Sequence, residues 1–421
     1  MPVSESPRGA NARPGFFAPF QVRPFRCQFA ADLLTCWGME MEIIVLGWYI
    51  LVQTQSVFLL TLYGALQYGG TLIAPALGVA SDRMGHRAVL AAMRAVYATV
   101  AVALMALAIA DALHPAYVLL LAGASGLIRA SDNGIRSALT AEILPPDRLM
   151  GGIGLARITS DSARIAGALA GAAVYAAIGM VPACALFSGF YILGVIFTWL
   201  VGASARPAIA ITRASPFSEM REGVVHVWHT PALLGGMWLA FLVNLTAFPW
   251  TLGLLPYAAR NVLHVDQAGL GFMAASFSIG GLTGSLLISA MGRRIPAARL
   301  MLVGGFLWHA MLLVFVQMPS LPAACAALML AGFVQSMNMV PLMVMLLRVA
   351  GQKFRGRVMG VRMLAIYGLP MGLLIAGLLI PLWGYWQTAT LYCSIGLLGV
   401  LAIAWHFRNA LWPREAPANA G

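Results

Sequence analysis

Charge is scarce in this sequence. Asp, Glu, Lys and Arg make up 10% of its 421 residues, against about 25% in soluble domains. Hydrophobic residues account for 61%, and the mean hydropathy is +0.84. Acids are scarcest, 14 against 26 bases, so the formal charge is +12. The five cysteines (Cys27, Cys36, Cys184, Cys325 and Cys393) have no paired spacing, which excludes a disulfide framework and a zinc site. No Gly-x-x-x-x-Gly-Lys-Ser/Thr stretch occurs, so a built-in ATPase of the Walker type is excluded. No cluster of metal ligands or hydrolytic motif points to an enzyme, and no cofactor is expected.

What the chain has is long apolar runs. About 20 apolar residues cross roughly 30 Å of hydrocarbon, and backbone polar groups in lipid must be satisfied within helices or a closed barrel. The runs exceed 20 residues and do not alternate, which selects helices. Twelve are expected, at approximately 28–52, 57–80, 88–110, 115–141, 151–178, 181–203, 232–256, 268–291, 300–318, 322–347, 358–382 and 385–407. The fold class is therefore all-α integral membrane. The expected arrangement is twelve transmembrane helices in two six-helix, pseudo-symmetric halves.

The positive charge is distributed by side rather than gathered into a nucleic-acid surface. Nineteen of the 26 bases lie in the termini and alternate loops, and the loops of the opposite side hold one, Arg260. The positive-inside rule puts both termini in the cytoplasm of a multi-pass protein of the cell (inner) membrane. The expected divisions are a cytoplasmic tail over 1–27, a first half over 28–203, a central loop over 204–231, a second half over 232–407 and a tail over 408–421. Within the central loop, Pro216 to His229 can form an amphipathic surface helix. His226 and His229 there have no further ligands to make a metal site.

Between the second and third runs lies Gly78-x-x-x-Asp82-Arg83-x-Gly85-His86-Arg87. This resembles the Gly-x-x-x-Asp-Arg-x-Gly-Arg-Arg signature of major facilitator superfamily transporters, with His86 in place of the first Arg of the final pair. The halves echo each other at an offset of about 207 residues: Gly85-His86-Arg87 returns as Gly292-Arg293-Arg294, and Arg148-Leu149-Met150-Gly151 as Arg357-Val358-Met359-Gly360. Such repeats place a binding site between the halves near the bilayer midplane. Leu46-Gly47-Trp48-Tyr49, Ala163-Arg164-Ile165-Ala166-Gly167 and Arg355-Gly356-Arg357-Val358-Met359-Gly360 are similar to the bacterial branch of enterobactin, macrolide and multidrug exporters. The resemblance implies proton-coupled efflux of an amphipathic organic compound, drug- or siderophore-like, by a monomer working through alternating access. It also implies that Gly78, Asp82, Arg83, Gly85 and Arg87 form a gating latch on the cytoplasmic side. Asp82 would meet the helix start near Val358, and Glu142 would pair with Arg83 or Arg87. An importer or uniporter of a small metabolite is the alternative; a non-transporting scaffold or lipid translocator is the alternative of another class. Ala168 stands where antiporters of the superfamily usually have Pro, which weakens the antiport reading.

Charges inside spans are costly, about 2.5–3.5 kcal/mol each at a helix centre. Arg157, Asp161 and Arg164 fall within an arc of about 60° at roughly 100° per residue, and Arg129, Asp132 and Arg136 fall in a similar arc. Neither stripe can face lipid. Each reads either as a salt-bridge lattice joining the fourth and fifth helices with the charged knot, or as part of a coupling cavity. Asp32, Glu40 and Glu42 on the first helix are candidates for proton coupling, because a desolvated carboxylate can exchange protons near neutral pH. The competing reading pairs them permanently with arginines of helices four or five. Glu40 and Glu42 are about 200° apart, so only one readily faces a cavity. Cavity candidates are Trp48, Tyr63, Gln67, Trp238, Asn244, Gln335 and Asn338. The partners expected are a small-molecule substrate, protons and lipid, with no nucleic acid.

Overall fold

The computed structural model describes residues 17–202, 216–291 and 296–411, and among these every regular element is helical. After a 3₁₀ turn at Ala18–Gln21 come α1 (Arg23–Thr54), α2 (Val57–Leu66), α3 (Ala74–Met84), α4 (His86–Ile109) and α5 (Pro115–Ile143). α6 (Pro146–Ser162) passes through a π turn at Ala163–Gly167 into α7 (Ala168–Ile178), followed by α8 (Met180–Leu200) and α9 (Pro216–His229). α10 (Pro231–Thr246) is followed by π turns at Pro249–Gly253 and Ala258–Val262 flanking the single turn α11 (Leu255–Tyr257). The remainder comprises α12 (Gln267–Met291), α13 (Ala297–Val316), α14 (Leu321–Val349), α15 (Gly351–Ala365), α16 (Gly368–Trp383), α17 (Tyr385–His406) and the short α18 (Arg408–Leu411).

Among the described residues, eight helical stretches are long and apolar enough to cross a bilayer: His86–Ile109, Met180–Leu200, Pro231–Gly253, Gln267–Ala290, Ala297–Val316, Leu321–Val349, Phe354–Trp383 and Tyr385–His406. The other four expected runs are helical as well, but each departs from a plain apolar span. α1, α5 and α6–α7 hold the internal charges, and the run at 57–80 is broken. The break falls at Gly69-Gly70, where a 3₁₀ turn (Gly69–Leu72) separates α2 from α3 and Pro75 opens the next helix. It also allows a close crossing: a Cβ on Gly70 would lie 1.9 Å from the Leu127 carbonyl of α5.

Two expected boundaries are corrected. The tail over 1–27 does not extend to Cys27, because α1 starts at Arg23 with Pro24 in its first turn, where the missing N–H costs nothing. Phe25 is buried beside Phe20, Phe29, Leu144 and Leu155, and this cluster anchors the start of the helix. The charged knot is not a free loop either. Gly78 to Met84 are the last turns of α3, and the chain reverses at Gly85 alone (φ 89°), a backbone region that glycine enters without a Cβ penalty. The expected surface helix at 216–229 is present as α9, which packs on α15 and α10. Residues 1–16, 203–215, 292–295 and 412–421 lie outside the description, and with them most of both tails, half of the central loop and the Gly292-Arg293-Arg294 echo.

Helix contacts fall mainly into two sets, which share part of the largest apolar core. In the first, α1 packs on α5, α7 and α8, and α4 on α5 and α8; in the second, α14 packs on α12 and α13, and α10 and α13 on α17. Extensive contact between the sets runs through α2 on α16 and α7 on α12, with α2 on the π turn at 249–253 and α1 on α11. These crossings lie toward the end that carries Thr54 and Trp383. At the opposite end, the knot belongs to the first set, and α15, packed on α9, α10 and α14, belongs to the second. Among the described residues, the main contacts between the sets thus gather toward one end.

Candidate functional site

α1 is the hub of the interior charges. Asp32, 2% exposed, accepts hydrogen bonds from Gln28 Nε2 at 2.7 Å and from Arg94, which is fully buried on α4 and also donates to Thr198 of α8. Arg136 of α5 lies 4.0 Å from Asp32 and donates to Cys36 Sγ at 2.6 Å, Asn133 Oδ1 at 3.0 Å and Ser160 Oγ at 3.2 Å. Arg94 was not singled out as a site residue from sequence. Its signal was a lone guanidinium in the apolar run at 88–110, whose partner lies 62 positions away.

Glu40 and Glu42 divide as their angular separation requires. The Glu42 side chain is 2% exposed; it accepts from Tyr191 Oη at 2.5 Å and Arg129 Nη2 at 3.4 Å. Gly38 makes that contact possible, since a Cβ there would lie 2.9 Å from the Tyr191 ring. The Glu40 side chain is 31% exposed, and its one partner is Arg164 at 4.0 Å, itself 56% exposed. Glu40 is therefore the most exposed of the three carboxylates of α1. Arg164 projects from the π turn at 163–167, beside which Gly167 and Gly171 press against Trp37 and Met41 of α1. Small residues of this kind let helices approach closely.

The expected lattice takes a different course. α5 is tied mainly to α1, by Arg129–Glu42 and by Arg136 with Asp32 and Cys36; Arg136–Ser160 links it to α6. Arg157 pairs with Asp161 one turn away on its own helix, at 3.1 Å. Asp132 is buried, makes no ion pair within the described residues, and leaves Oδ1 without a hydrogen-bond partner. None of the six joins the charged knot. In the knot itself, Glu142 meets His86 at 3.1 Å rather than Arg83 or Arg87. Arg87 lies over the Trp199 ring, 5.2 Å from its centroid, and donates to the Trp199 carbonyl. Arg83 is exposed, and the side chain of Asp82 lies outside the description.

The seven cavity candidates do not form one lining. Trp48 is buried in the larger apolar core, Tyr63 is buried with its hydroxyl on the Glu42 carbonyl, and Asn338 is wholly buried, donating to the Met301 carbonyl at 2.6 Å. These three hold helices together. Asn244 donates to its own helix at Ala240, and Trp238 is half exposed. Gln67 lies at the α2 break, buried, with both amide atoms unpartnered. Gln335 is half-buried on α14, facing Gly281 of α12. A separate cleft of about 540 Å³ lies between α9 and α15, lined by Arg221, Glu222, Val225, His226, His229 and Phe354. Among the described residues, no group of His, Cys, Asp and Glu is placed to hold a metal ion.

The fold is that of solved transporters. It is similar to a bacterial homologue of the human lysosomal transporter Spinster in an inward-facing, unoccupied conformation: TM-score 0.73, 13% identity, 95% of this chain and 99% of that one. It is also similar to the nucleoside transporter NupG, with TM-score 0.68, 13% identity, and 91% and 99% of the two chains covered. Residues 237–420 match the family model of the Major Facilitator Superfamily. The chain is also 30% identical over 216 residues to the multidrug efflux pump Tap of Mycolicibacterium fortuitum, which is 50% of this chain and 52% of that protein. It thus spans about half the length of that relative.

Proposed function

We propose that the chain is a secondary active transporter that exports an amphipathic organic compound in exchange for protons. Its four charged or broken helical runs count as spans beside the eight apolar ones. This makes twelve in two six-helix halves, 28–203 and 232–407, with both termini in the cytoplasm of the cell (inner) membrane and the monomer as the working unit. Similarity to a multidrug efflux pump over half the chain supports export and an organic substrate. The observation that carries coupling is Glu40, an accessible carboxylate on the central helix, loosely paired with Arg164. Protonation of Glu40 would release Arg164 and change the charge around it, while Asp32 and Glu42 stay locked in buried pairs. The knot Gly78, Asp82, Arg83, Gly85 and Arg87 is the latch of the cytoplasmic mouth, and Gly85 is the point about which α3 and α4 pivot.

The test is substrate-dependent proton flux in vesicles holding a pH-sensitive dye and purified protein, screened with amphipathic compounds. Proton movement opposite to substrate, lost in Glu40→Gln and kept in Arg408→Gln, is the expected result. Substrate movement without protons favours the uniporter or importer reading, to which Ala168 in place of the antiporter Pro lends support.

A further inference from the structure

Among the described residues, Arg362 of the second set is partly buried within an apolar stretch and has no counterion. Arg362 lies on α15, eight residues into the apolar stretch Phe354–Trp383, about 12 Å along the helix at 1.5 Å per residue. Its guanidinium makes no hydrogen bond or ion pair with the described residues, and its Nε is buried without a partner. Sequence alone removes the usual remedy, since no Asp or Glu occurs between Asp266 and Glu415. The carboxylates of α1 and α6 are already engaged: Asp32 by Arg94, Glu42 by Arg129 and Tyr191, Glu40 by Arg164, Asp161 by Arg157.

Arg362 lies near the end of α15, and α16 begins across the turn at 366–367. In α16, Leu369 and Leu373 are buried against the first set: they cluster with Ala65 and Tyr68 around α2, and Leu373 is the side chain a Cβ on Gly64 would meet. Arg362 thus lies just before the segment that meets the first set. An ionisable residue so deep in a span faces an interior or aqueous path, and its desolvation must be offset by an opposite charge. The ion pairs of the first set meet that need within the protein; Arg362 does not.

We propose that Arg362 is the anchor for an anionic group, a carboxylate or sulfonate, on the transported compound. The substrate class is then an amphipathic acid, its acid on Arg362 and its apolar frame against the surrounding helices. This rests on the transporter reading, but the test requires neither proton coupling nor transport.

The protein is placed in nanodiscs and titrated with two fluorescent probes that share one aromatic frame: 1-anilinonaphthalene-8-sulfonate and its neutral parent N-phenyl-1-naphthylamine. Signal from empty nanodiscs is subtracted. The expected result is tighter saturable binding of the sulfonate. Arg362→Gln should weaken it about tenfold, equivalent to about 1.4 kcal/mol, with the neutral probe and the melting temperature unchanged. Arg362→Lys, which keeps the charge and guards against a folding failure in Arg362→Gln, should retain part of the preference. Equal binding of the two probes by the unaltered protein overturns the proposal. So do an absence of saturable sulfonate binding and an equal loss of both probes in Arg362→Gln. Failure of proton flux in vesicles with the sulfonate preference intact would instead count against the coupling reading alone.

Discussion

At the scale of single residues, burial separates carboxylates that hold the molecule from the one free to act. Asp32→Asn would leave Arg94 charged and unpaired in the interior, a change that costs about 3–5 kcal/mol. The expected outcome is a large fall in melting temperature and in the yield of folded protein, measured by thermal unfolding in detergent. Glu40→Gln removes a group already 31% exposed, with a partner 4.0 Å away. Such exposed pairs are worth about 0–1 kcal/mol, so stability should hold while pH-driven transport is lost. An equal fall in melting temperature for the two variants would contradict this division. The types and positions of these residues were legible in the sequence, and so was the need for partners. Which arginine each acid meets was not, because Arg94 and Asp32 become neighbours only when α1, α4 and α8 pack together.

At the scale of elements, backbone geometry decides where helices stop. Gly85 adopts φ 89° and ψ 135° between α3 and α4, so Gly85→Ala puts a Cβ into a conformation disfavoured by about 1–3 kcal/mol. No neighbour lies within 4 Å of that Cβ, so the cost is conformational alone. Gly70→Ala is different in kind, since its Cβ would meet the Leu127 carbonyl and force α2 and α5 apart. Thermal unfolding should rank the Gly70 variant well below the Gly85 variant; the reverse order would count against the crossing. The apolar runs disclosed that helices exist, because their length and lack of alternation permit little else. They did not disclose the break at 67–73, the π turn that carries Arg164, or the start of α1 at Arg23. Each of these depends on a tertiary contact: the Gly70–Gly126 crossing, the Gly167 and Gly171 approach to α1, and the Phe25 cluster.

At the scale of the whole molecule, the main contacts between the two sets gather toward one end. Gly377 of α16 approaches Thr61 of α2 so closely that a Cβ would lie 3.1 Å from the Thr61 Cβ. Cysteines at both positions are therefore within reach of a disulfide after small adjustment. Oxidation of Thr61→Cys/Gly377→Cys should form that bond in high yield and stop transport, and reduction should restore it. Undiminished transport by the cross-linked protein would show that this end does not open during the cycle.

The sequence by itself determined that the chain carries long apolar runs suited to a membrane, that they are helical, and which superfamily it resembles. Scarce charge, runs above 20 residues and the Gly78–Arg87 knot are local properties, readable wherever the chain lies. Only the tertiary structure decided which carboxylate of α1 is most exposed, that Arg362 lacks a counterion among the described residues, and where the helix sets meet. Those depend on distances between residues far apart in the chain, set by helix packing.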